Sequence, residues 1–131
     1  MTAARKKTAK RKTPLDRITE ICLSFPAAAR TDSGHHADFR VSTKPFAYYL
    51  DNHHGDGRVA LCVKTARGEN HDYIASDPKR FYSPPYIGPQ GWVAFRVDVG
   101  VVPWKMAADL IEDSYRLTAP KKLLAQLGER S

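Results

Sequence analysis

The sequence predicts an α+β fold, a mostly antiparallel sheet with helices packed on one face. Helical periodicity near the start is followed by a run of short alternating segments and then by helical periodicity near the end, an order typical of that class. The 131 residues suffice for one domain with a buried core. No apolar run approaches the ~20 residues that a membrane span needs, and two distant cysteines favour a reducing compartment over a disulfide framework. We therefore expect a cytoplasmic protein without membrane contact.

The first half of the chain contains one helix and several short strands. Thr13 and Pro14 suit the start of a helix, as N-cap and first helical residue, and Pro26 ends it. Residues 51–57 are rich in turn formers and predict a hairpin loop. Alternating apolar and polar residues predict strands near Arg30 and at residues 39–42, 45–50 and 58–64.

The middle of the chain is less regular. Residues 65–71 read as a polar loop around Gly68, residues 73–75 as a short strand and residues 77–81 as one helical turn. Three prolines exclude residues 83–91 from a central strand, because proline removes the hydrogen-bond donors of a ladder. We expect a rigid loop there.

The strand that follows and the helix after it organise the chain. Valine and phenylalanine alternate along residues 93–99, and an apolar stripe runs along the helix from Trp104 to Tyr115. We expect this stripe to cover the valine face of the sheet and to leave the reverse face open to water. A last short helix at residues 121–127 ends near Gly128.

The net charge of +7 comes mostly from the N-terminus. Residues 1–13 carry six basic residues and no acidic one, whereas the rest of the chain has 15 basic against 14 acidic residues. A block of like charge without large apolar residues predicts a disordered tail at residues 1–13, followed by one folded domain at residues 14–128. Such a tail suits an anionic partner, although a solubilising extension would look the same. Its candidate contact residues are Lys6, Lys7, Lys10, Arg11 and Lys12.

Basic and aromatic residues share the outward side of the predicted strands. Arg40, Lys64 and Arg96 fall there together with Trp92. Such a face could bind phosphates and stack bases. An uncovered sheet face also needs polar and aromatic residues for solubility and for cross-strand pairing, so this pattern alone does not select nucleic acid.

Metal and nucleophile motifs are missing from the sequence. The adjacent pairs His35-His36 and His53-His54 do not suit one ion, since neighbours in a strand point to opposite faces. HExxH, CxxC, GxSxG and GxGxxG spacings do not occur. We expect no metal, no cofactor and no catalytic residue. The one feature typical of a site is a pair of elaborate loops, residues 51–58 and 84–92, whose pocket would be lined by His53, His54, Tyr86 and Trp92.

Three segments of the sequence resemble the MmcQ/YjbR family: STKPFAYYLDNHHGDGRVALCVK, ASDPKRFYSPPYIGPQGW and LIEDSYRLTAPKKL. The resemblance spans roughly residues 15–127. It implies a YjbR-like, CyaY-like α+β fold, and it carries the label of a DNA-binding protein with a double wing of hairpins. Thr43 stands where the family has a glycine before Lys44, and threonine fits poorly at a position with positive φ.

Taken together, we expect a monomeric DNA-binding protein whose tail supplies affinity that does not depend on sequence. The alternative is a small-molecule-binding or enzymatic domain that uses the two loops, and a protein-interaction module is a third possibility. The nucleic-acid hypothesis names, besides the tail, Arg40, Lys44, Lys64 and Arg96 on the body and Arg67, Lys79 and Arg80 on the wings.

Overall fold

A six-stranded antiparallel sheet forms the centre of the protein. The computed structural model describes residues 12–128, so most of the predicted tail lies outside the described residues. The strand order is β1-β2-β3-β4-β6-β5, and every neighbouring pair is antiparallel. The strands are β1 (Ala29–Ser33), β2 (His36–Val41), β3 (Lys44–Asp51), β4 (Val59–Lys64), β5 (Phe81–Tyr82) and β6 (Trp92–Arg96).

The helices of the described chain are α1 (Pro14–Leu23), α2 (Glu69–Ser76), α3 (Trp104–Thr118) and α4 (Lys121–Leu127). They pack on one face of the sheet, which confirms the predicted α+β class. Helix α1 begins with a capping box: the Thr13 hydroxyl accepts a hydrogen bond from the Asp16 amide, and the Asp16 carboxylate accepts one from the Thr13 amide, both at 3.0 Å. None of these helices is both long enough and apolar enough to cross a membrane.

Helix α3 supplies the centre of the core, as its apolar stripe predicts. Tyr115 is fully buried; its ring stacks on Phe25 with centroids 4.9 Å apart and meets the edge of Phe46 at 5.2 Å. The Tyr115 hydroxyl donates a 2.6 Å hydrogen bond to the carbonyl of Pro26, so the phenolic oxygen has a partner at the edge of the core. Tyr115 therefore joins α3, β3 and the end of α1.

A β-bulge at Phe46 interrupts the ladder between β2 and β3. Phe39 pairs with Ala47 and Arg40 pairs with Pro45, which leaves Phe46 as the extra residue on β3. The bulge lets the Phe46 ring turn into the helix-side core. The buried Ser114 hydroxyl of α3 donates to the Phe46 carbonyl at 2.6 Å and accepts from the Lys64 amide at 3.0 Å. One side chain thus satisfies two backbone groups on neighbouring strands.

One local prediction is wrong. The segment predicted as a polar loop and a short strand contains helix α2, with Gly68 as N-cap at a φ of +86°. Residues 77–81 form one helical turn, as predicted, because the Asp77 carbonyl accepts from the amides of Arg80 and Phe81 before the chain enters β5. The sequence of α2 has a weak apolar stripe, and among its own residues only Asn70 is buried.

The prediction of an open reverse face is also wrong. The proline-rich segment at residues 83–91, here called the proline loop, lies over part of that face. Beneath it, Ile87 packs against a small cluster of Leu50, Cys62 and Trp92, and Trp92 is only 6% exposed. Apolar residues on both sides of the central strands need cover. The helices cover one side and the proline loop covers the middle of the other.

Candidate functional site

The proline loop follows directly from β5, which pairs with β6, and its C-terminal half is held by side-chain and backbone hydrogen bonds. The Gly91 carbonyl accepts hydrogen bonds from the amide and from the hydroxyl of Thr65, each at 2.8 Å. The buried Asn70 side chain of α2 donates to the Gly88 carbonyl at 3.0 Å. A Cβ at Gly88 would lie 2.1 Å from the Ser83 hydroxyl, so a larger residue there would require the Ser83 side chain to rotate away. The loop is therefore a fixed roof over the sheet.

A cavity of about 370 Å³ lies between this roof and the sheet. We call it the His–Pro cavity, since histidines form one wall and prolines another. Its volume falls in the range of small-molecule sites. The lining residues are Ser33, His36, Ala37, Asp38, Tyr48, Leu50, His53, Pro84, Pro85, Tyr86 and Ile87. Most of this surface is apolar, and the polar groups are few, which is the usual composition of a ligand pocket.

The histidine loop, residues 51–58, forms one side of the cavity. Asn52 fixes its shape, because the Asn52 side-chain oxygen accepts from the Gly57 amide at 2.7 Å. The ring of His53 lies 5.2 Å from that of His36 and 4.0 Å from that of His54. Burial, followed by His54 and His36, lowers the pKa of His53, whereas Asp56 opposes the shift.

His53 also contains a buried polar atom without a partner. Its Nδ1 is out of contact with solvent and makes no hydrogen bond. Such orphaned atoms are uncommon in folded proteins and call for a specific explanation. Nδ1 has essentially no accessible surface, so a group in the His–Pro cavity would meet other atoms of the His53 side chain.

Tyr86 stands at the opposite wall in an unusual conformation. Its φ is +71°, a left-handed value that is rare for a bulky residue, and its side chain is 81% exposed. The His54 ring meets it at a centroid distance of 5.9 Å. A strained backbone that presents an aromatic ring to solvent beside a cavity is typical of a binding position.

A second cavity, of about 290 Å³, adjoins the first. We call it the lysine cavity, because Lys44 and Lys64 line it. Tyr48 and Ile87 line both cavities, so the two lie side by side under the proline loop, and we call them together the groove. The remaining lining residues are Pro45, Gln90, Trp92, Leu117 and Thr118. A further cavity on the other side of Lys64 includes Arg67 and His71.

Trp92, predicted to line a pocket with His53, does not reach the His–Pro cavity. It lines the lysine cavity instead, and its ring packs against Tyr48 with centroids 5.2 Å apart. His54 is not part of the cavity wall either; it supports His53 and Tyr86 from outside. The pocket therefore contains two of the four residues predicted for it.

The predicted basic platform is not formed. Lys64 pairs with Trp92 and Arg96 pairs with Ala60, which places the two cations at opposite ends of the β4–β6 ladder. Arg40 forms an ion pair with Asp38 at 2.6 Å, and Arg96 forms one with Asp98 at 3.0 Å. These carboxylates neutralise the arginines locally.

The other predicted basic residues are dispersed. The Arg80 guanidinium donates to the backbone carbonyl of Arg96 at 2.7 Å, and Lys79 is exposed in the turn before β5. Lys12 forms an ion pair with Glu20 at 2.6 Å. Within residues 12–128, Lys44, Lys64 and Arg67 make no ion pair, and they stand near one another at one end of the sheet. The predictions for Lys6, Lys7, Lys10 and Arg11 lie outside the described residues.

Sequence reasoning missed the groove's floor and part of its wall. Tyr48, Leu50 and His36 lie on the reverse face, and Ile87 closes the roof over them. The alternation of β3 beyond the bulge is a usable signal, because it places Tyr48 and Leu50 on the same side. Among the described residues, no group of three or more His, Cys, Asp or Glu side chains is arranged to hold a metal ion.

Comparisons with known proteins agree with this fold. The model of the YjbR family matches residues 23–117. Among solved structures, the crystal structure of Deinococcus radiodurans protein DR2400, which has the family-model domain DUF419, is similar with a TM-score of 0.65 and 19% identity. That match covers 79% of this chain and 76% of that chain, and at this identity it concerns the fold alone. No curated protein is significantly similar to the sequence.

Proposed function

The chain belongs to the YjbR family, as its sequence predicts, and we propose that it binds a small molecule in the His–Pro cavity. One observation carries the proposal: a mostly apolar cavity of ligand size, about 370 Å³, lies under the proline loop, with a few polar side chains on its wall, among them His36, Asp38 and His53. The strained, exposed Tyr86 at the other wall supports it. Convergent polar groups on a mostly apolar, concave surface are what a small-molecule site requires.

A thermal-shift screen of nucleotides and other metabolites tests this function. A ligand present at about 100 times its Kd stabilises the folded chain by about 2.7 kcal/mol and raises the Tm by several degrees. The screen is repeated on Ser33→Trp, which places a large ring at the exposed rim of the cavity. Lys105→Trp is the matched control, because Lys105 is exposed on α3, on the opposite side of the sheet.

The expected result is a ligand that stabilises the native chain and the Lys105→Trp variant but not the Ser33→Trp variant. Equal stabilisation of both tryptophan variants would place the ligand elsewhere. A broad panel without any stabilising compound would contradict the proposal.

A second candidate function is nucleic-acid binding. The observation in its favour is the group of Lys44, Lys64 and Arg67, which lack ion-pair partners among the described residues and share one end of the sheet. The six basic residues of the tail would add affinity through counterion release. The double wing of hairpins and the single YjbR-like domain at residues 14–128 stay predictions.

Fluorescence anisotropy with duplex DNA at low and moderate salt tests the second candidate. Three chains are compared: the native chain, a chain without residues 1–13, and a chain with Lys44, Lys64 and Arg67 replaced by glutamine. If binding is lost only in the chain without residues 1–13, the folded body does not bind DNA. If the native chain does not bind even at low salt, the candidate is abandoned.

A further inference from the structure

We propose that the groove binds an aromatic phosphate monoester, with its ring in the His–Pro cavity and its phosphate in the lysine cavity. This inference rests on the proposed small-molecule function and names the chemical class of the ligand. It follows from the adjacency of the two cavities, which share Tyr48 and Ile87, and from their opposite character. One half is apolar and rimmed by aromatic rings, and the other half contains two cations.

The ring-binding half is built from flat and rigid groups. Tyr48 and Leu50 form its floor, Pro84 and Ile87 form its roof, and Tyr86 projects at its mouth. Aromatic side chains prefer offset or edge-on contacts with other rings, and the rings around this half already make such contacts with one another. Ser33, His36 and Asp38 add polar groups to its wall, which suits a ring that bears a polar edge.

The anion-binding half has the charge that a phosphate monoester requires. A phosphate monoester carries a charge of about −1.5 to −2 at neutral pH. Lys44 and Lys64 both line the lysine cavity, and neither forms an ion pair within residues 12–128. This distinguishes them from Arg40 and Arg96, whose charges are already satisfied by aspartates. Gln90 adds a side-chain amide at the same cavity.

The spacing of the two halves follows from the sheet register. Tyr48 pairs with Cys62, and Lys64 lies two residues farther along the same strand. Two residues of an antiparallel strand span about 7 Å. A ring over Tyr48 and a phosphate beside Lys64 would therefore be separated by roughly the length of a short linker or a sugar. The floor of this path is closed, because Trp92 packs against Tyr48.

Matched pairs of probes test the inference by isothermal titration calorimetry on the full chain. The pairs are adenosine monophosphate with adenosine, and 1-naphthyl phosphate with 1-naphthol, and inorganic phosphate is titrated alone. For at least one pair, we expect the phosphorylated member to bind about tenfold tighter or more than its neutral partner and than inorganic phosphate. Replacement of Lys44 and Lys64 by glutamine should remove that advantage without changing the affinity of the neutral partner. Lys79→Gln is the control, because Lys79 is exposed and lines none of these cavities.

The outcomes separate this inference from the proposed function. If neutral probes bind as tightly as the phosphates and Ser33→Trp abolishes both, the cavity binds a ligand but the inference is wrong. If inorganic phosphate binds as tightly as the aromatic phosphates and Ser33→Trp has no effect, the lysines act without the ring cavity, and the inference is again wrong. If no probe of either pair binds, the inference fails, whereas the proposed function is judged by the broader thermal-shift panel.

Discussion

Replacement of Ser114 by alanine should strongly destabilise the protein. The Ser114 hydroxyl is fully buried and satisfies the carbonyl of Phe46 at 2.6 Å and the amide of Lys64 at 3.0 Å. A buried polar group without a partner costs about 1–3 kcal/mol. The Phe46 carbonyl would bear that full cost, whereas the Lys64 amide is only partly buried and would regain some hydration. We therefore expect a loss of about 2–3 kcal/mol in the free energy of unfolding.

Urea denaturation followed by tryptophan fluorescence measures this loss, and a thermal scan should show a Tm lower by about 10 °C. Ser76→Ala is the matched control, because the Ser76 hydroxyl also donates to a backbone carbonyl, that of Tyr73, but at an exposed helix end. The control should change stability by less than about 0.5 kcal/mol. If Ser114→Ala is as mild as the control, the bulge does not depend on this hydroxyl, and our account of the β3–β4 end of the sheet is refuted.

The remaining predictions concern backbone strain and pH. Thr43 has a φ of +69°. Thr43→Gly should stabilise the chain by about 0.5–1 kcal/mol in urea denaturation, because the penalty of a left-handed threonine exceeds the entropy cost of glycine. The control Thr31→Gly in β1 should destabilise the chain. Burial raises the pKa of the Cys22 and Cys62 thiols, so the unfolded chain loses these protons first. The free energy of unfolding should therefore fall above about pH 9, by about 1.4 kcal/mol per pH unit for each thiol. Either cysteine-to-alanine variant should have a shallower slope, and an unchanged slope would contradict this account. Burial lowers the pKa of His53, so the unfolded chain binds the proton more readily. The free energy of unfolding should therefore fall as the pH drops below about 6.5. The His53→Gln variant should lose less stability than the native chain between pH 7.5 and 5.5, and an equal loss would show that other groups dominate.

Much of the fold is predictable because the residue pattern within most elements agrees with the structure that the element adopts. The strands alternate, α3 has a continuous apolar stripe, and Thr13 and Pro14 provide a standard helix start. Helix α2 was missed because it is held by tertiary contacts rather than by its own pattern. Its Tyr73 stacks on Phe81 at 5.0 Å, and its Asn70 bonds to the proline loop. Both partners lie outside the helix, Phe81 in the next strand and Gly88 in the proline loop, so the pattern of α2 alone does not reveal them.

The candidate site was predicted only in outline. Residues of both loops line the His–Pro cavity, and the signal in the sequence is that their glycines and prolines fix a shape that a simple turn does not need. The cover that Ile87 provides depends on the path of a loop, and no periodicity encodes such a path. The arginine pairs, in contrast, were predictable, because Asp38 and Arg40 are two apart in a strand and share a face.

The anchoring of the proline loop has a consequence for the speed of binding. Because the β5–β6 pairing precedes the roof and because Thr65 and Asn70 anchor its C-terminal half, entry to the groove should need no opening step. Encounter would then be close to the rate set by diffusion and orientation, and compounds of one series should differ mainly in how long they stay bound. In stopped-flow mixing, the observed rate should rise in proportion to ligand concentration, without the plateau that a slow gate would impose.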